Sequence, residues 1–272
     1  MVDFLHTAFQ KQTFKTYLLK KNKMLEQSFI FLPKIGETTE KKIWNRGIHN
    51  WQTFLDKKTI KGISHARKEH FDWRIQNAKK AKKQENTRFF HYYFPQKEHW
   101  RLWNEYKDQA AFLDIETTGY YGGITVIGLY DGIETKSFVR GFNLDKKLFQ
   151  KEMQKYKMII TFNGKSFDMP VIKKYFNLNF EIPHIDLRFI CQRLGYTGGL
   201  KKIEQTLGIK RQEEVQGMTG EDAVMLWQKW KQTGNREYLE KIIKYNEEDI
   251  VNLLPLAKQM IPQLWEKTRS LE

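Results

Sequence analysis

Residues 110–119 read AAFLDIETTG, a strand-like run whose apolar character is broken at Asp114 and Glu116. Side chains alternate faces along a strand, so Phe112, Asp114 and Glu116 share one face while Leu113 and Ile115 share the other. The two carboxylates then stand roughly 7 Å apart along the strand. Left unpaired and partly buried, they would repel one another and resist ionisation. A divalent cation reverses that logic by supplying charge and accepting oxygen ligands. The plain alternative is a strand end emerging into solvent with both acids hydrated, and the pair alone leaves both readings open.

The residues that follow alternate between strand and helix patterns. ITVIGLYDG (124–132) and TKSFVRGF (135–142) read as the next two strands, with Asp131-Gly132 as turn material. LDKKLFQKEMQKY (144–156) is an amphipathic helix, KMIITF (157–162) a short apolar strand, and 169–176 another helix. A strand is expected in FEIPHIDL (180–187), then helices at roughly 187–194, 199–207, 220–231 and 235–260. Three early strands, then alternation, then helices predict an α/β fold, a mixed sheet covered by helices.

Two further acids stand out. Asp168, in IITFNGKSFDMPVIKKYF (159–176), precedes Met169-Pro170 and reads as a helix N-cap; capping is compatible with an oxygen facing the strand end. Asp249 lies in EKIIKYNEEDIVNLLPLAKQM (240–260). On a helix, Ile242, Tyr245, Asp249, Leu253 and Leu256 form one stripe, whereas Glu247 and Glu248 point elsewhere and are expected to be solvated. An acid inside an apolar stripe needs a metal, an arginine or a hydrogen-bonding network; a Tyr–Asp pair at the stripe's edge is the structural alternative. Asp131, Asp145 and Asp186 read as bystanders. Asp186 in PHIDLRF (183–189) fits a strand-to-helix cap, with His184 beside it structural.

Taken in order, DIE (114–116), NGKSFD (163–168) and YNEED (245–249) resemble the three motifs of the DEDD superfamily of 3′→5′ exonucleases, on the ribonuclease H-like fold. The resemblance covers about residues 109–260. Tyr245, four residues before Asp249, matches the tyrosine subclass; Lys244 stands where the other subclass has histidine. The resemblance implies a two-metal phosphodiester hydrolase using Mg²⁺ or Mn²⁺. It implies that Asp114, Glu116, Asp168 and Asp249 hold the ions, with Asp114 bridging both and Asp168 on the leaving-group ion. Tyr245 would orient the attacking water. Thr117, Thr118, Gly119, Asn163 and Phe167 would contact the terminal nucleotide. Nucleic acid is the implied partner, with DNA, single-stranded, favoured over RNA. An endonuclease or junction resolvase on the same fold, or a non-catalytic nucleic-acid-binding module, are the rival readings.

Charge is distributed unevenly in the chain of 272 residues. Residues 1–108 hold 23 Lys and Arg against 11 Asp and Glu, and the remainder 24 against 21. A region so basic attracts polyanions, nucleic acid above all, although a Lys-rich solubilising surface has the same composition. Residues 11–23 read as a basic segment. FIFLPKIGETTEKKIWNRGIHNWQTFLDKK (29–58) reads as helix, turn and helix, with the turn at Gly36, a cap at Thr38 or Thr39, and a stop at Gly47. LPKIGETTEKKIW (32–44) within it resembles a helix-hairpin-helix, with Lys34 replacing a glycine and Glu40 an alanine. That resemblance implies backbone phosphate contacts at Lys34, Gly36, Lys41 and Lys42; a plain docking hairpin is the alternative.

Residues 65–86 are helix-prone, with an apolar stripe at Phe71, Ile75 and Ala78. RFFHYYFPQKEHWRLWNEY (88–106) reads first as a packed joint and second as base-stacking aromatics. Its WRL (100–102) resembles a tripeptide that shortly precedes the first motif in a bacterial and archaeal branch of ribonuclease H-like proteins. The expected organisation is a basic helical region at 1–64, a connector at 65–108 and the ribonuclease H-like domain at 109–272. Cys191 is the only cysteine, which excludes an internal disulfide and a cysteine-based zinc site. Without a signal-like or membrane-length apolar run, a cytoplasmic protein with no membrane partner is expected, and no oligomeric state is read from the chain.

Overall fold

The computed structural model describes residues 23–119 and 122–270. The chain divides into two compact units, one ending at Lys107 and rejoined by Arg269 onward, the other Asp108–Thr268. The basic segment 11–23 lies, except for Lys23, outside the described residues.

The first unit is helical: α1 (Glu37–Trp44), α2 (Trp51–Asp56), α3 (His65–Lys83), α4 (Thr87–Tyr93), a 3₁₀ turn at Gln96–Leu102, and α5 (Trp103–Tyr106). Phe71, Ile75 and Ala78 are buried on α3, as their spacing predicts. The expected first limb of the hairpin is not a helix. Residues 30–34 run through turns, because the backbone N–H groups of Phe29 and Ile30 donate to the Glu40 carboxylate at 2.6 and 3.0 Å. Lys34 adopts φ +60°, a left-handed conformation that glycine tolerates best. Neither Thr38 nor Thr39 caps α1; Gly36 is the N-cap, without a side-chain bond.

Glu40 is fully buried and meets Arg101 Nη1 at 2.8 Å, while Arg101 Nε donates to Glu98 at 2.7 Å. The glutamate that departs from the hairpin pattern and the arginine of WRL are therefore partners. Phe31 stacks on Phe94 at 5.2 Å and Phe54 packs near Phe71 at 6.4 Å, tying residues on either side of position 64 into one core. Phe90, Phe94, Trp100, Trp103 and Tyr106 are buried here, whereas Tyr92 and Tyr93 are exposed.

The second unit is built on β1 (Ala110–Thr117), β2 (Ile124–Tyr130), β3 (Thr135–Val139), β4 (Met158–Thr161) and β5 (His184–Asp186). Their order is β3-β2-β1-β4-β5, antiparallel across the first three and parallel across the last two pairings. Alternation along β1 sends Ala111, Leu113 and Ile115 into a core with Phe149, Met153, Ile172 and Phe176. Those partners lie on α6 (Lys146–Met153) and α7 (Asp168–Phe176). Four more α-helices follow among the described residues of the unit, α8 (Leu187–Arg193), α9 (Leu200–Leu207), α10 (Gly220–Thr233) and α11 (Arg236–Arg269), with a 3₁₀ turn at Glu213–Val215.

Strand β5 is three residues long, shorter than the expected run. Helix α11 is longer than expected and contains Pro255 and Pro262. A buried series of Leu253, Leu256, Ala257, Met260, Ile261, Leu264 and Trp265 carries the helix past both prolines, offsetting an interior cost of about 3 kcal/mol each. No described helix is long and apolar enough to cross a membrane.

Candidate active site

Asp114 and Glu116 project from the central strand, on the face opposite the Leu113 core. Asp249 reaches them from α11, and the carboxylate oxygens of Asp114, Glu116 and Asp249 lie within 4.8 Å of one another. Asp168 joins from the start of α7. It is the first residue of that helix rather than its cap. Phe167 is the N-cap, and an Asp168 oxygen instead accepts the Ile115 N–H of β1 at 3.1 Å. Tyr245 lies one helical turn before Asp249 and is buried with it, as the stripe predicts.

Gathering four acids has an electrostatic consequence. Burial, and then the nearby Asp168 and Asp249, hold the Asp114 carboxyl well above the usual carboxylate range. Burial likewise raises Glu116, with Asp249 and Asp168 adding to the shift. The Asp168 carboxyl is pushed by burial up to about 7, against the opposing pull of its backbone hydrogen bonds. Asp249 is raised by burial as well, although the Arg211 guanidinium works the other way.

Several neighbours complete the site, and for all but Asn246 no local sequence pattern points to them. Arg211 donates to Asp249 at 2.5 Å and grips the buried Glu204 at 2.5 and 2.9 Å, so Asp249 is held in place by a pair from α9 and the loop after it. Lys201 lies 3.0 Å from the Tyr245 hydroxyl, and burial lowers its pKa. Asn246 donates to Asp114 at 2.9 Å. Its close approach explains Gly128, which pairs with Asp114 across the sheet: a Cβ there would come within 2.0 Å of Asn246 Oδ1. Only Asn246 had a positional signal, standing three residues before Asp249 on the same helix.

The acids open into a cavity of about 940 Å³ whose wall includes Thr117, Gly119, Asn163, Phe167, Arg188 and Tyr245. Thr118 is not part of that wall; its N–H donates to Gly123 in the turn that follows β1. Asn163 is braced at φ +67°, donating its N–H to Asp186 at 2.8 Å and accepting from Arg188 at 2.5 Å. Asp186 caps α8 through the Arg188 N–H. The His184 ring meets the Thr161 hydroxyl at 2.8 Å. Glu248 is not solvated: it is buried and accepts the Gln212 N–H at 3.1 Å, while Glu247 accepts from Thr135 at 3.1 Å. In the first unit, Lys34 and Gly36 lie at the start of α1 and Lys41 and Lys42 in its last turn, so these four do not form one cluster.

A mixed sheet in this order, with carboxylates on its central strand and on a covering helix, defines a ribonuclease H-like fold with an acidic cleft. The RNase_H superfamily profile matches residues 111–261, more than half of the chain, and the protein belongs to that superfamily. No curated protein matches the chain. Membership implies nucleic acid as substrate and phosphodiester hydrolysis as the class of reaction. The donor set suits a hard divalent cation: it offers only oxygen atoms, and its buried carboxylates repel one another without one.

Proposed function

We propose that the protein is a metal-dependent 3′→5′ exonuclease of the tyrosine DEDD type, acting on single-stranded DNA. The observation that carries the reading is the convergence of Asp114, Glu116, Asp168 and Asp249 on one open cavity with Tyr245 in its wall. Asp114, Glu116 and Asp249, with Asp168 beside them, would hold two Mg²⁺ or Mn²⁺ ions. Bound there, the ions would neutralise phosphate charge and make a water a stronger nucleophile at neutral pH.

The remaining tasks belong to side chains. Burial raises the Tyr245 phenol above its ordinary pKa, so it stays protonated and serves to orient a water rather than to remove its proton. Lys201, 3.0 Å from that hydroxyl, fixes its direction. Arg211 holds the Asp249 carboxylate in register with β1. Residues 198–200 and 219–221, at the starts of α9 and α10, also line the cavity. The α9 start has no side-chain cap, which leaves N–H groups for a substrate phosphate. Thr117, Gly119, Asn163 and Phe167 would bound the terminal nucleotide. In the first unit, Lys34 and Gly36 at the start of α1 would contact nucleic-acid backbone, with Lys41 and Lys42 adding positive charge further along the helix.

A time course on 5′-labelled single-stranded DNA, duplex DNA and RNA with Mg²⁺ or Mn²⁺ tests this. The expected result is a ladder shortening stepwise from the 3′ end, fastest on single-stranded DNA. Cleavage of a circular single strand would replace the exonuclease reading with an endonuclease, and salt-dependent binding without metal-dependent turnover would replace it with a binding module.

A further inference from the structure

The first unit carries an exposed aromatic surface that the cleft chemistry does not use. Trp73 on α3 is 55% exposed and Tyr93 on α4 is 39% exposed. Neither faces the core: the buried stripe of α3 runs through Phe71, Ile75 and Ala78, and the buried residues of α4 are Thr87 and Phe90. The two rings share one cation. The Arg74 guanidinium lies 4.0 Å from the Tyr93 centroid and 6.0 Å from that of Trp73. His70 stacks against Trp73 at 5.9 Å, and Phe89 packs on Tyr93 at 4.5 Å. The result is a contiguous patch of flat rings, not isolated surface residues.

The two helices that carry the patch are basic. Helix α3 holds seven Lys and Arg against two acids, and α4 carries Arg88 and no acid; Lys68 and Lys82 are tied up in ion pairs, which leaves five cations on α3. One of those acids, Asp72, is occupied by the buried Lys68 at 2.6 Å. A surface that presents rings and cations together matches a partner that presents flat bases and phosphates together. Duplex bases are hidden in their own stack, so only an unpaired strand can use the rings.

We propose that the Trp73–Arg74–Tyr93 surface binds single-stranded nucleic acid by base stacking, as a second contact remote in sequence from the catalytic motifs. The proposal shares with the functional reading the assumption of a nucleic-acid partner, but not of catalysis. Binding is measured by fluorescence anisotropy with a single-stranded thymidine probe of about 20 nucleotides, longer than a usual single-strand site. The full chain carries Asp114→Asn and a chelator is present, so cleavage plays no part.

Trp73→Ala with Tyr93→Ala should weaken binding about tenfold or more, the effect of losing stacked bases. Trp73→Phe alone should restore most of the binding when Tyr93 is retained. Affinity for a matching duplex and for heparin should not change. Circular dichroism and the thermal midpoint of each variant report folding, and exposed positions should leave both near the parent values.

Three outcomes overturn the proposal: unchanged single-strand affinity in a folded double variant, equal loss on single strand, duplex and heparin, or Trp73-dependent binding to phosphatidylserine vesicles with none to the oligonucleotide. If the parent chain proves unable to cleave any substrate, this binding experiment still decides the proposal on its own.

Discussion

Both units bury a cluster of carboxylates, and the two clusters are built on opposite principles. In the first, Glu40 and Glu98 have a cation between them: Arg101 reaches both, and two backbone N–H groups add to Glu40, working against the burial that raises its carboxyl. In the second, Asp114, Glu116, Asp168 and Asp249 crowd together, and the largest influences on Asp114 and Glu116 all oppose ionisation. Burial of acids does not by itself mark a site. An ion pair with satisfied hydrogen bonds fixes a chain conformation, here the turns before α1, whereas mutually repelling acids beside a cavity await a cation.

The sharpest way to break the comparison is to neutralise one member of the repelling cluster. Asp114→Asn should lower turnover more than about 100-fold, beyond the usual cost of an outer-shell change at a metal site. The metal-free variant should be at least as stable as the parent, because one repulsion is gone. Near-parental turnover would remove Asp114 from the site.

The converse change in the first unit should act on stability. Arg101→Met strands Glu40 and Glu98 in an apolar interior and should cost about 3–5 kcal/mol in urea unfolding. An unchanged urea midpoint would show that the Arg101 ion pairs are dispensable.

Titration separates the clusters more finely. Asp168 is raised from 3.8 to about 7, so the folded metal-free chain holds a proton that the unfolded chain releases. That stabilisation is fully present below pH 3.8 and is lost as pH rises through about 7. In chelator, Asp168→Asn should therefore gain thermal stability relative to the parent as pH climbs across that window. Parallel melting curves at all pH values would contradict the raised pKa.

The smallest effect is expected at Tyr245. Tyr245→Phe removes one hydroxyl and its hydrogen bond to Lys201, and should lower turnover by about fivefold, near 1 kcal/mol, without changing metal affinity measured by calorimetry. Full activity would withdraw the water-orienting role.

The sheet-forming runs, the alternation that puts Asp114 and Glu116 on one face, and the stripe that puts Tyr245 with Asp249 were all legible along the chain. Each is a local periodicity, fixed by the geometry of one strand or one helix. What covers such a face is not local. Asn246 meets Asp114 across 132 residues, and Arg211 meets Asp249 across 38; spacing along α11 puts Asn246 near Asp249, but no spacing rule announces either contact. The same limit explains Glu248, a polar residue beside the stripe that is buried and accepts the Gln212 N–H, 36 residues away. It explains Glu40, whose apparent departure from a hairpin pattern is matched by Arg101, 61 residues away. Periodicity along the chain settled which residues turn inward together; only packing between distant segments settled which buried charges are answered and which are left facing a cavity. Burial makes each unmet charge costly enough to need a partner, and that partner is supplied by the fold, not by neighbours in sequence.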